Sequence, residues 1–217
     1  MPPFDSVMAV FIAGVFLSAT PGPSMLYVMS RSVGQNRSAG LASAFGLCLG
    51  GIILAIATAM GLAKLFAEFP VLVVVLRYVG SMYLIWLGGT MILHARTDAQ
   101  AELKVARITQ RSFAAIIWQG VLVEFLNPKT VLFFALFLPP FVVLGDGQGS
   151  EIDVQTQLLV LGILIPLAAI PADVLVAFMG GNLARSINRR QDFRKKLGWI
   201  GGITLIVIAL NLHLGFF

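Results

Sequence analysis

Helix-breaking and ionisable residues fall together at two places in a chain that is otherwise apolar. One is Pro21-Gly22-Pro23-Ser24; the other is Glu124 followed by Asn127-Pro128-Lys129. Proline has no backbone N–H, so Pro21 and Pro23 leave the carbonyls of Leu17 and Ala19 without helical donors, and Pro128 does the same to Glu124. Half-helices beginning near Ser24 and after Lys129 start with unpaired N–H groups, which attract a carboxylate. Lys129 adds a full positive charge. In a third proline-marked stretch, Pro166 and Pro171 bracket an expected irregularity, and Asp173 follows with a carboxylate suited to hold an ammonium or carry a proton. A zwitterion complements such a set. The competing reading is structural: a packing kink with Glu124 and Lys129 paired, or Asp173 paired with Lys129.

These residues lie in segments built for lipid. Of 217 residues 58% are hydrophobic and 12% charged, with a mean hydropathy of +0.92; soluble domains carry about 25% charged residues. The chain is therefore read as one integral membrane transport domain over residues 1–217. Apolar runs at residues 7–30, 39–66, 71–94, 113–144, 157–180 and 197–216 each reach the roughly 20 residues needed to span a bilayer, which predicts six transmembrane helices. A straight helix over 112–144 would exceed the hydrocarbon thickness of about 30 Å, so a break there is expected. Twelve of the fifteen basic residues fall in alternate loops: Arg31 and Arg37; Arg96, Lys104, Arg107 and Arg111; and Arg185, Arg189, Arg190, Arg194, Lys195 and Lys196. Positive charge stays on the cytoplasmic side, so both termini are expected outside.

The two halves, residues 1–95 and 112–217 joined by a cytoplasmic loop at 95–112, echo one another. Gly14-Val15 precedes Pro21-Gly22-Pro23 as Gly120-Val121 precedes Asn127-Pro128-Lys129, and Gly88-Gly89 has a counterpart in Gly201-Gly202. Three helices per half would orient the halves oppositely, giving an all-α membrane fold of two inverted three-helix repeats with helices 1 and 4 broken. In such folds paired breaks mark the cargo site.

Other chemistries find little support. The N-terminal apolar run lacks a preceding Lys or Arg and reads as a retained helix, not a cleaved leader. Cys48 has no thiol partner for a disulfide or metal site, and His94 and His213 lie near membrane edges. No cofactor is implied. The basic run at 185–196 suits anionic lipid head groups more than nucleic acid, and the glycine-rich turn at 145–149 lacks the carboxylates of a calcium loop. Ala42, Gly46 and Gly50, and Gly198 with Gly202, permit close helix packing within the bundle or between two copies of the chain, so a homodimer is a candidate assembly. Trp86, Trp118, Trp199, Tyr78 and Tyr83 suit interfacial or packing positions.

At these motifs the sequence resembles the lysine exporter (LysE/RhtB) family, particularly its homoserine/threonine efflux branch. The resemblance lies in Thr20-Pro21-Gly22-Pro23 with Leu26-Tyr27-Val28, Arg31-Ser32 and Ala39-Gly40-Leu41, then Phe125-Leu126-Asn127-Pro128-Lys129 with Leu132-Phe133-Phe134 and Phe137-Leu138-Pro139. Pro140 replaces a frequent Gln, and Glu124 stands where many members have a neutral residue. The resemblance implies an inner-membrane exporter of amino acids or related small metabolites driven by the proton gradient. Pro21, Gly22, Pro23, Ser24, Asn127, Pro128 and Lys129 would then bind cargo, while Asp173 or Glu124 exchanges protons. The alternatives are an intramembrane hydrolase using Ser24 with Lys129 as base, an exporter of another solute or metal ion, and a non-transporting membrane adaptor.

Overall fold

The computed structural model describes residues 1–20, 22–69, 71–100, 110–143, 151–189 and 191–214. The first apolar run is divided into α1 (Phe4–Ala19) and α2 (Pro23–Gly34), which meet at a bend of 52°. Pro23 occupies the first position of α2, where a missing N–H removes no helical bond. α3 (Arg37–Glu68) and α4 (Val71–Gln100) follow as long helices. The fourth run is divided in the same way. α5 (Phe113–Phe125) starts on Ser112, whose side chain accepts the N–H of Ala115, and α6 (Pro128–Leu132) follows after a bend of 51°. α6 passes into a π-helical turn, Phe133–Phe137, and a 3-10 turn, Pro139–Phe141. α7 (Glu151–Arg189) and α8 (Gln191–Leu214) complete the fold, and no strand occurs among the described residues.

Two unbroken stretches, Arg37–Leu62 and Asp153–Met179, are long and apolar enough to cross a bilayer, and the two bent pairs meet the same test when each is taken together. The described residues thus hold two to four candidate spans in a multi-pass, all-helical chain.

Several expectations are corrected. Pro166 and Pro171 do not interrupt α7. Gly51 of α3 faces the Pro166 ring, and a Cβ there would stand 2.8 Å from it; the missing side chain gives the ring room inside a continuous helix. The basic stretch at 181–196 is helical up to Arg189 and again from Gln191, so Arg185, Arg189, Arg194, Lys195 and Lys196 belong to helices, while Arg190 lies outside the described residues. Arg31 lies in the last turn of α2 and is buried. The glycine-rich stretch at 145–149, and Lys104 and Arg107 of the central loop, lie outside the described residues.

α3 and α7 pack along one another at the centre, α5 lies on α3, α1 on α7, and α4 on α8. Lipid is as apolar as leucine, so such contacts depend on close packing more than on the hydrophobic effect. Gly50 faces the backbone of Val121, Gly120 faces Gly46, and Gly14 faces Ile165 and Ala168. The glycine spacing in α3 is therefore used within the chain. At the α4–α8 crossing a Cβ on Gly88 would stand 2.5 Å from the Gly202 carbonyl, and the reverse distance is equal.

Two apolar clusters flank a polar level. One joins Val10 and Ala13 of α1 to Leu54, Phe133, Phe137 and Leu161; the other joins Met25, Val28 and Met29 of α2 to Leu47 and Ala177. Between them, Cys48 and Gly51 sit near the middle of the apolar stretch of α3, and Pro166 near the middle of that of α7. The elements thus hold a cavity at mid-span.

Gly88→Ala is expected to destabilise the protein by about 1–3 kcal/mol through overpacking. Gly89→Ala, whose new methyl would meet nothing within 4 Å, is expected to be neutral or slightly stabilising. Thermal unfolding of both variants in detergent checks the contrast.

Candidate functional site

The two breaks meet. Gly22 is the N-cap of α2, in an extended conformation (φ −161°, ψ −174°), and no side chain caps the helix. Gly22, Ser24 and Met25 line the cavity, so the start of α2 faces it. Peptide dipoles make such an end favourable for an anion. The expected second helix start is partly capped. Asn127 is the N-cap of α6, and its Oδ1 accepts the Lys129 N–H at 3.1 Å; asparagine is among the strongest capping residues.

The carbonyl of Glu124, which Pro128 deprives of its helical donor, accepts the N–H of Asn127 at 3.1 Å in a tight turn. The Glu124 side chain accepts from Ser24 Oγ at 2.5 Å and from Thr130 Oγ1 at 2.9 Å. Asn127 Nδ2 donates to Ser24 Oγ at 2.9 Å. One continuous run of hydrogen bonds thus joins the start of α2, the end of α5 and the start of α6. Bonds to an ionised carboxylate are about twice as strong as neutral ones.

Lys129 does not engage the carboxylates. Its Nζ donates to the carbonyl of Leu17 at 2.6 Å and to that of Thr20 at 3.3 Å. Leu17 is the acceptor that Pro21 deprives of a donor; Pro21 itself lies outside the described residues. An ammonium from the second break thereby satisfies carbonyls of the first. Asp173 of α7 lines the same cavity, and among the described residues no hydrogen bond or ion pair engages its carboxylate. Both structural pairings of Lys129 considered above are therefore replaced by carbonyl contacts.

The cavity measures about 50 Å³, space for about three or four waters. Gly22, Ser24, Asn127, Lys129, Glu124 and Asp173 all line it; Pro23 is the first residue of α2 and Pro128 the first of α6. Leu17, Leu47, Phe134, Ile165 and Pro166 form its apolar wall. Cys48 and Thr130 also line it. Thr130 went unnoticed in the sequence although a hydroxyl beside Lys129, in reach of Glu124, was available as a signal.

Away from the cavity, α2 is fastened to α5 and its approach by polar bonds at four-residue spacing. Tyr27 Oη donates to the Ile116 carbonyl at 2.7 Å, and Arg31 Nη2 to Gln119 Oε1 at 2.7 Å. Gln35 Nε2 donates to the Arg111 carbonyl at 2.8 Å while its Oε1 accepts the Arg111 N–H at 3.1 Å. On the other side of the breaks, α1 and α6 are backed by stacked Phe133 and Phe137, with ring centroids 4.1 Å apart.

Multi-pass helices broken at mid-span around one charged cavity define a membrane protein that handles a small polar solute. The family model described as LysE type translocator matches residues 15–215, and the chain belongs to that family, a family of translocators and not of enzymes. A leucine efflux protein of Salmonella typhimurium (strain LT2) is 33% identical over 131 residues, 60% of this chain and 60% of its own length. This chain therefore matches less than two thirds of the length of that relative. An uncharacterised membrane protein of Pseudomonas aeruginosa is 29% identical over 201 residues, 92% of this chain and 90% of its own. A leucine efflux protein of an Enterobacter species is 24% identical over 204 residues, 93% of this chain and 92% of its own. No solved structure matches the chain.

Ser24→Ala and Asn127→Ala are each expected to cost about 1 kcal/mol. Because both act on one bonded run, the double variant should lose less than the sum of the two. A double-mutant cycle on thermal unfolding, with a coupling of about 0.5 kcal/mol or more, checks this.

Proposed function

We propose that this chain exports amino acids or related small zwitterionic metabolites from the cell by proton antiport. The observation that carries the reading is the meeting of two broken helices at one cavity holding an ammonium, two carboxylates and an uncapped helix start. Gly22, Ser24, Asn127 and Lys129, with Pro21, Pro23 and Pro128 making the breaks, form the cargo site. Asp173 and Glu124 are the proton-exchanging carboxylates. The apolar wall of Leu17, Leu47, Phe134 and Ile165 favours an aliphatic cargo side chain, and the names of the Salmonella and Enterobacter relatives make leucine the first cargo to try, ahead of homoserine or threonine.

The same reading takes the chain as one transport domain of six spans in two inverted three-helix repeats, in the bacterial inner membrane with both termini outside. Gly14 lies against α7 as Gly120 lies against α3, and Gly88 meets Gly202 across the α4–α8 crossing; these reciprocal contacts support the repeat. A homodimer and contacts between the basic helix ends and anionic lipid belong to the proposal as well. The hydrolase alternative paired Ser24 with Lys129 as base, and it receives no support, because the Ser24 hydroxyl donates to Glu124 while Lys129 donates to the carbonyls of Leu17 and Thr20.

Proteoliposomes loaded with L-leucine should release it when a pH gradient is imposed. Glu124→Gln and Asp173→Asn should each reduce this gradient-driven flux about tenfold or more. Unchanged flux in both variants and in the double variant would remove the proton role, and absence of any amino-acid flux in the wild type would remove the export reading.

A further inference from the structure

An ammonium already sits in the cavity on two peptide carbonyls, those of Leu17 and Thr20. They belong to the end of α1, where the carbonyl ends of peptide dipoles collect and attract a cation. α2 begins three residues later, at Pro23, with the opposite dipole end and no side-chain cap. A single break therefore offers a cation-binding end and an anion-binding end in sequence. The head group of an amino acid carries the two complementary charges on neighbouring atoms.

We infer that the Leu17 and Thr20 carbonyls are the binding site for the ammonium of the cargo, and that Lys129 occupies this site in the empty protein as a built-in substitute. The inference rests on the cavity being the cargo site. When cargo enters, its primary ammonium takes over the two carbonyls and Lys129 swings away. The displaced charge has acceptors in the same cavity, the carboxylates of Asp173 and Glu124 and the cargo's own carboxylate. Asp173 is the readiest of the protein groups, having no described hydrogen-bond partner, whereas Glu124 already accepts from Ser24 and Thr130.

The exchange is chemically economical. Carbonyls freed by a break inside a bilayer need a donor at all times. Lys129 supplies one before loading and the cargo supplies one after it, so neither state leaves the acceptors bare. A ligand lacking N–H donors, or too crowded at nitrogen to reach both carbonyls, cannot make the replacement. Recognition therefore reads a primary ammonium, beyond simple positive charge.

Removing Lys129 should leave the carbonyl pair open to a small external ammonium. Purified Lys129→Ala and Lys129→Gln should unfold at higher temperature in millimolar methylammonium chloride, with no such rise in tetramethylammonium chloride and none in the wild type. A second arm uses the wild type alone: N-acetyl-L-leucine, which keeps the carboxylate and loses the ammonium, should compete at least tenfold more weakly than L-leucine for release from proteoliposomes. An equal methylammonium shift in wild type and variants, no shift in a folded variant, or equal competition by N-acetyl-L-leucine overturns the inference. A methylammonium shift confined to the variants, together with a wild type that moves no amino acid, leaves the ammonium site standing and removes the export reading instead.

Discussion

A carbonyl without a donor is costly in hydrocarbon, and the arrangement around the cavity follows from that constraint. Pro21 takes the helical donor from Leu17, and in hydrocarbon the lost bond must be replaced from within the protein or its cavity. The replacement is Lys129 Nζ, which arrives from the other half of the chain. The same bond gives the ammonium an acceptor, so two groups that would each be expensive alone are satisfied together. Each break thereby requires the other. α1 keeps its end at mid-span because α6 presents Lys129, and Lys129 remains at that depth because α1 presents carbonyls.

The hydrogen-bonded run through Asn127, Ser24, Glu124 and Thr130 adds a second tie between the breaks. It differs in kind from the first. Lys129 touches backbone and is held at the end of a flexible four-carbon stem, whereas the other tie uses short side chains fixed close to helix ends. Asn127 shows how closely these roles are joined, because one amide caps α6 through its oxygen and holds Ser24 through its nitrogen. The surrounding glycines bring α3 to α5 and α1 to α7 without side chains between them, which sets the depth at which these short groups meet.

Much of this was legible in residue types. Proline positions located both breaks and identified Leu17 as an acceptor in need of a donor, and Glu124, Lys129 and Asp173 stood out because charge is rare in apolar runs. The donor that would reach Leu17 was not legible. A proline says which carbonyl is deprived, but the group that fills the vacancy comes from 112 residues away and depends on packing. Asn127 was noticed as part of a motif, while its capping role, which takes up one N–H of the second helix start, needed the local geometry. α7 went the other way: two prolines predicted irregularity, yet a helix with a glycine facing one ring absorbs them. Arg31 was assigned to a loop because the first apolar run ends at residue 30. Its position four residues after Tyr27 and four before Gln35 carried a helical signal that the apolar boundary obscured.

The two sides of the cavity are closed by unlike materials. Between α2 and α5 the tie is a ladder of polar bonds from Tyr27, Arg31 and Gln35, groups for which water is an alternative partner. Net hydrogen-bond energies in such an exchange are only about 0.5–1.5 kcal/mol apiece. On the other flank the packing is aromatic and aliphatic, Val10 and Ala13 of α1 sharing a cluster with the fully buried Phe133 and Phe137, and exposing such surface to water costs about 25 cal/mol per Å². The two flanks of the cavity are accordingly unequal in kind: one is joined by polar bonds that water can replace, the other by apolar packing that water cannot.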